Sequence, residues 1–139
     1  MTIPLMALLG FALWTLLILL VAIGPYRWAR ILTGRTRASH CTADPNAGSG
    51  YYPRAMRAHM NCIENLPVFV AIVYAIDRVG LQTPLLDALA LIVLGARIVQ
   101  SSVHIALVQT DNVIFVRFGF YSAQIVAMIA MVTILFMSL

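Results

Sequence analysis

The sequence has no lysine, and a single glutamate among its 139 residues. Charged residues make up 10% of the chain against 62% hydrophobic ones, a balance that a soluble domain of this size could carry only by exposing large apolar patches. The shortage of charge therefore excludes a water-soluble globular protein. All nine basic residues are arginines, gathered near the ends of apolar runs; without a basic polar surface, a nucleic-acid-binding face is excluded as well. Zinc-ligand spacing, a phosphate-cradling glycine loop, a Ser/His/Asp arrangement, internal repeats and low-complexity tracts are absent, so no metal is expected.

What the chain has instead is apolar length. Ile3 to Gly24, Leu85 to Leu107 and Val113 to Leu139 each reach the ~20 residues that cross a ~30 Å hydrocarbon core. A fourth run, Ala55 to Ile76, qualifies only if its polar residues face protein. These runs predict an all-α membrane protein, a single domain over 1–139 forming a four-helix transmembrane bundle. The expected helices cover about 3–26, 53–77, 84–108 and 113–138, with a long loop over 27–52. The first run has no basic stretch before it and exceeds the length of a signal-peptide core, so it reads as a retained helix. It carries no ionisable residue from Thr2 to Pro25, and Pro25 is expected to end it. Within the second, Pro67 is expected to introduce a kink.

Arginine placement carries the topology. Arg27, Arg30, Arg35 and Arg37 follow the first run, Arg54 and Arg57 open the second, and Arg78 stands between Asp77 and Asp87. By the positive-inside rule the first loop is cytoplasmic and both termini lie on the opposite side, the expected setting being a bacterial inner membrane. The loop itself is rich in turn formers, Asp44, Pro45, Asn46 and Gly48 among them. Cys41 and Cys62 would then sit on the reducing side, one a loop thiol and one a small buried hydrophobe, with no disulfide between them.

The polar residues inside the runs recur with helical spacing. Arg57, Asn61 and Glu64 stand at i, i+4 and i+7; so do Arg97, Ser101 and His104, joined by Gln100; and Arg117, Tyr121 and Gln124 repeat the pattern. Because neighbouring helices run in opposite directions, all three stripes fall at one depth, toward the first-loop side. A charge at the centre of a membrane helix costs roughly 2.5–3.5 kcal/mol on insertion scales, so such residues pair, bury against protein, or serve a function. Three arginines against one glutamate leave a positive surplus that an anionic ligand would neutralise. The far halves of the spans are nearly all apolar, which argues against a transporter's path through both leaflets.

The run Arg57, Ala58, His59, Met60, Asn61, Cys62, Ile63, Glu64, with Phe69 beyond it, resembles the signature of the MAPEG family, membrane-associated proteins in eicosanoid and glutathione metabolism. The resemblance continues through Arg97, Gln100 and His104 to Arg117 and Tyr121. It implies a four-helix protein assembled as a homotrimer, with glutathione as co-substrate in a cleft between subunits. It further implies that Arg57, Asn61, Glu64, Arg97, Gln100 and His104 bind glutathione, that Arg117 stabilises its thiolate, and that Tyr121 lines the same site. The second substrate would be a hydrophobic electrophile or lipid hydroperoxide arriving from the surrounding membrane lipids. Gln100, His104, Phe118 and Met60 depart from the prostaglandin E synthase-like pattern, which points to a generic transferase or peroxidase instead. His59 lies on the far side of its helix from Glu64 and is assigned to packing or capping. A non-catalytic scaffold that binds lipid or glutathione is the competing expectation, since the family also contains such a member.

Overall fold

In hydrocarbon every backbone N–H and C=O must find its partner within the chain, and a segment that is apolar all round does so as a helix. The computed structural model describes residues 1–35, 37 and 50–139, and among these all regular structure is helical. Helix α1 covers Ile3–Leu32; α2 is Tyr51–Val79, α3 Pro84–Ala106 and α4 Asp111–Met137. The expected turn residues Asp44 to Gly48 and Cys41 lie outside the described residues. Helices α1, α3 and α4 are each long and apolar enough to cross a membrane. Helix α2, with 29 residues, is about 43 Å long at 1.5 Å per residue. Its first half carries Arg54, Arg57, His59, Asn61, Glu64 and Asn65, which removes it from that group.

Local sequence sets the helix ends. Gly80 takes φ +72°, and Leu81 donates its N–H back to the Ile76 carbonyl, so a left-handed residue closes α2 at a position where a side chain would be strained. Thr83 then accepts the Leu86 N–H at 3.2 Å, with Pro84 in the first turn of α3. Thr110 accepts the Val113 N–H at the start of α4 in the same way.

The first helix departs from expectation. It does not stop at Pro25 but runs on to Leu32. The cause lies just upstream, where Ile18–Ile23 winds as a π-helix and Gly24 donates its N–H to the Leu19 carbonyl, five residues back. A wider turn relieves both the missing donor and the carbonyl clash that proline imposes on an α-helix. Pro25 accordingly serves as a first-turn residue of the final segment, Gly24–Leu32. Helix α2 stays helical through Pro67.

Helix α3 occupies the centre. It packs most extensively on α4, and also on α1 and α2, while α1 and α4 make no substantial contact with each other. The core between α1, α2 and α3 includes Phe11, Phe69, Ile72, Val73, Leu86 and Val93, with the Phe11 and Phe69 rings 6.0 Å apart. Where α1 meets α3 the packing is tight: a Cβ at Gly10 would stand 3.0 Å from Leu94 Cδ2, so the leucine would have to shift to admit even a methyl group. One turn of contacts later the core admits a cation. Arg97 is 1% exposed, its guanidinium carbon lies 5.4 Å from the Phe11 ring centre, and its Nε and Nη2 have no hydrogen-bond partner among the described residues.

Three outcomes follow for unfolding midpoints in detergent. Gly10→Leu overpacks the α1–α3 contact and should destabilise by about 1–3 kcal/mol, whereas Gly95→Ala, whose Cβ would enter open space, should stabilise by up to ~1 kcal/mol. Arg97→Met keeps the volume and sets the loss of a ring contact worth about 2 kcal/mol against relief of an uncompensated buried charge, so its midpoint should stay within about 1 kcal/mol of the parent; a collapse of the fold would show that the ring contact far outweighs the cost of the charge.

Candidate functional site

Polar residues spaced along one helical face meet their counterparts only where two helices cross. Asn61 of α2, Gln100 of α3, and Ile114, Arg117, Phe118 and Tyr121 of α4 line one open cavity of about 260 Å³. Arg117 and Tyr121 share a face at i and i+4, with Ile114 one turn earlier. Gln100 is held in place from behind, its Oε1 accepting from Nε2 of Gln124 at 3.1 Å, and Gln124 is wholly buried. Asn61 contributes its backbone carbonyl to Nδ2 of Asn65 at 2.8 Å. Tyr121 and Phe118, 37% and 64% exposed, form the outer wall. The cavity thus joins one cation, two amides and a phenol to an apolar side.

Its surroundings are strongly positive. Arg57, half-buried on α2, donates Nη1 to Gln109 Oε1 at 3.4 Å and lies within the electrostatic reach of Arg117. His104, buried on α3, lies within the electrostatic reach of Arg117, Arg57 and Arg54. Arg117 is half-buried, with its Nε unpartnered among the described residues. Glu64, the acid of the α2 stripe, is exposed and makes no hydrogen bond or ion pair with any described residue. Like charges so close in a medium of low dielectric repel strongly, and an anion entering the cavity would relieve that repulsion.

The second stripe turns elsewhere. Arg97, Ser101 and His104 point into the bundle, where Ser101 Oγ donates to the Arg97 carbonyl and accepts from Trp14 Nε1 at 3.0 Å. Cys62 is buried with its Sγ 3.9 Å from Ser101 Oγ. His59 is buried against the same interior. The eight residues singled out in the sequence therefore separate into groups. Asn61, Gln100, Arg117 and Tyr121 come together on the cavity; Arg57 and Glu64 share their helix with Asn61 but do not line it; Arg97 and His104 belong to the interior behind it. Ile114 escapes notice in the sequence, although its position three residues before Arg117 would have indicated it. Nothing in the sequence signals the Trp14 link, because an indole in an apolar helix looks like any lipid-facing residue.

Among the described residues no group of three His, Cys, Asp or Glu side chains is placed to hold a metal ion. The arrangement can attract an anion, orient it through amides and a phenol, and offer an apolar surface beside it. A model of known families matches residues 3–137, and its description is the MAPEG family. No curated protein and no solved structure gives a significant match. With three helices long and apolar enough to cross a membrane and a family match that takes in every residue of the cavity, the chain is an integral membrane protein and belongs to the MAPEG family.

Proposed function

We propose that this protein is a glutathione-dependent membrane transferase or peroxidase acting on hydrophobic electrophiles or lipid hydroperoxides. The observation that carries this reading is the convergence of Asn61, Gln100, Arg117 and Tyr121, from three helices, on one cavity with an apolar wall. Glutathione brings two carboxylates, an ammonium and a thiol. The positive field of Arg57 and Arg117 suits the carboxylates and the thiolate; Asn61 and Gln100 suit the peptide amides; Glu64 is the natural partner for the ammonium. Arg97 adds to this field from behind the cavity, and His104 packs beside it on the buried face of α3. In this scheme the three-helix cavity supplies Arg117 as the cation nearest sulfur and Tyr121 as a hydroxyl beside it.

The energetic demand is moderate. Lowering a thiol from an ordinary pKa of about 8.5 to about 6.5 takes ~2.7 kcal/mol of preference for the thiolate, within the range of one partly desolvated guanidinium. The thiol proton leaves through the open mouth. The thiolate sulfur then bonds to an electrophilic carbon of a substrate held on Phe118 and Ile114, having entered sideways from lipid, as that carbon's bond to its leaving group breaks and the group departs as an anion with the electron pair. With a lipid hydroperoxide the sulfur takes the terminal oxygen, the O–O bond breaks, the alkoxide leaves as the alcohol on taking a proton, and a second glutathione thiol converts the sulfenic acid to the disulfide and water. Glu64, exposed and without an ion pair among the described residues, also supports assembly with further copies of the chain, as a homotrimer in the family manner. The arginine distribution supports a cytoplasmic first loop in a bacterial inner membrane. The one specific feature favouring a non-catalytic lipid- or glutathione-holding scaffold is the large apolar share of the cavity, with Phe118 prominent on it.

Stopped-flow ultraviolet difference absorbance of the detergent-solubilised protein mixed with glutathione separates these readings. The expected result is a saturable thiolate band near neutral pH that Arg117→Ala abolishes, with turnover of a generic electrophile falling about 100-fold. Glutathione binding without the thiolate band would favour the scaffold; neither band nor calorimetric binding would overturn glutathione as the ligand.

A further inference from the structure

Helix α3 has a second hollow on the side away from the polar cavity. Between α1 and α3, closed at one end by the start of α2, runs a groove of about 350 Å³. Trp14, Ile18 and Ala22 form its α1 wall, Ser102 and Ile105 its α3 wall, and Tyr51 its end. From Trp14 to Ala22 the groove extends ~12 Å along α1 at 1.5 Å per residue. The π turn at Ile18–Ile23 forms part of this wall. The lining offers little to a polar molecule, because the indole N–H is already given to Ser101 Oγ and the remaining wall is aliphatic apart from Ser102. A hydrocarbon chain is the chemistry that fits it.

The end at Tyr51 has the opposite character. Arg54 donates Nε to the carbonyl of Ile105 at 3.2 Å, which brings its guanidinium to the groove's own lining residue. Arg27 donates Nε to Tyr52 OH at 2.6 Å, and the Tyr26 ring lies 6.4 Å from that of Tyr51 and stacks at 4.9 Å on that of Tyr52. No acidic residue occurs in 1–35 or 50–63. An apolar slot thus opens at one end beside the guanidinium of Arg54 and a cluster of tyrosines.

We propose that this groove is a binding site for one anionic phospholipid, with an acyl chain along α1 and the phosphate on Arg54. A zwitterionic lipid offers the same chain and phosphate but brings its own cation up to Arg54; an anionic headgroup does not. The site is independent of the polar cavity and of the chemistry proposed there. The two are nevertheless joined across α3, since Trp14 on the groove is hydrogen-bonded to Ser101, the next residue after Gln100 on the cavity.

Trp14 reports on its own neighbour. The chain has two tryptophans, so Trp28→Phe leaves Trp14 as the sole fluorophore. The full chain carrying Trp28→Phe is reconstituted in phosphatidylcholine vesicles containing rising fractions of phosphatidylglycerol or phosphatidylcholine with brominated acyl chains. Phosphatidylglycerol should quench Trp14 at an about fivefold lower mole fraction than phosphatidylcholine, the preference that one basic contact provides. Arg54→Gln should erase that preference, and Ala22→Phe, which fills the groove, should reduce quenching by both lipids while circular dichroism stays unchanged. Equal quenching by the two lipids, a preference that survives Arg54→Gln, or quenching indifferent to Ala22→Phe would each overturn the proposal. Absence of quenching even in wholly brominated vesicles would also overturn it, and would mean that another copy of the chain covers the groove.

Discussion

The contact between the Arg97 guanidinium and the Phe11 ring ties α1 to α3 at a depth where water cannot help, and the placement of the other polar residues depends on it. A desolvated cation over an aromatic face is worth about 2 kcal/mol, and the hydroxyl of Ser101, bonded both to the Arg97 carbonyl and to Trp14, fixes the same rotation of α3. With that rotation fixed, three successive residues have no choice of surroundings. Steps of ~100° per residue send Gln100 to the polar cavity, Ser101 to the interior and Ser102 to the apolar groove. One helix therefore separates two hollows of opposite chemistry, and its own buried arginine sets which residue each receives.

Electrostatics on the cavity side follows from composition as much as from geometry. With one glutamate and no lysine in the chain, positive charge collects on arginines whose long stems can bury while the heads stay near polar neighbours. Arg117, Arg57 and Arg54 all act electrostatically on His104, while Glu64 is exposed on α2. The polar cavity is lined by one cation, Arg117, and by no carboxylate, and that lining favours an anion.

Helix number, the polar stripes and their common depth were legible in the sequence, because each depends on hydropathy and on a period of 3.6 residues. Two features were not. Whether a stripe faces a cavity or the interior depends on helix rotation, and no periodicity distinguishes Arg117, which reached the cavity, from Arg97, which is buried behind it. The end of the first helix was misjudged because Pro25 was weighed as a breaker of α-helix, while the π turn that accommodates it has no side-chain signature in a run of Ile, Leu, Val and Ala. Family membership, in contrast, was carried by a short polar motif whose residues stand out against an apolar background.

That π turn also divides α1 into two azimuthal registers. The first half buries Ala7, Phe11, Thr15 and Ile18 with ordinary spacing, and the second presents Tyr26 and Arg27 to α2. Between them the helix carries in effect one residue more than an α-helix needs, which is ~100° of rotation. An apolar segment of equal length and hydropathy, but wound as a plain α-helix, would still span the membrane; it would aim Tyr26 and Arg27 away from α2. What this first helix encodes is therefore an angle as well as a thickness, and residues on either side of Ile18–Ile23 align with a straight-helix relative only if one position is skipped.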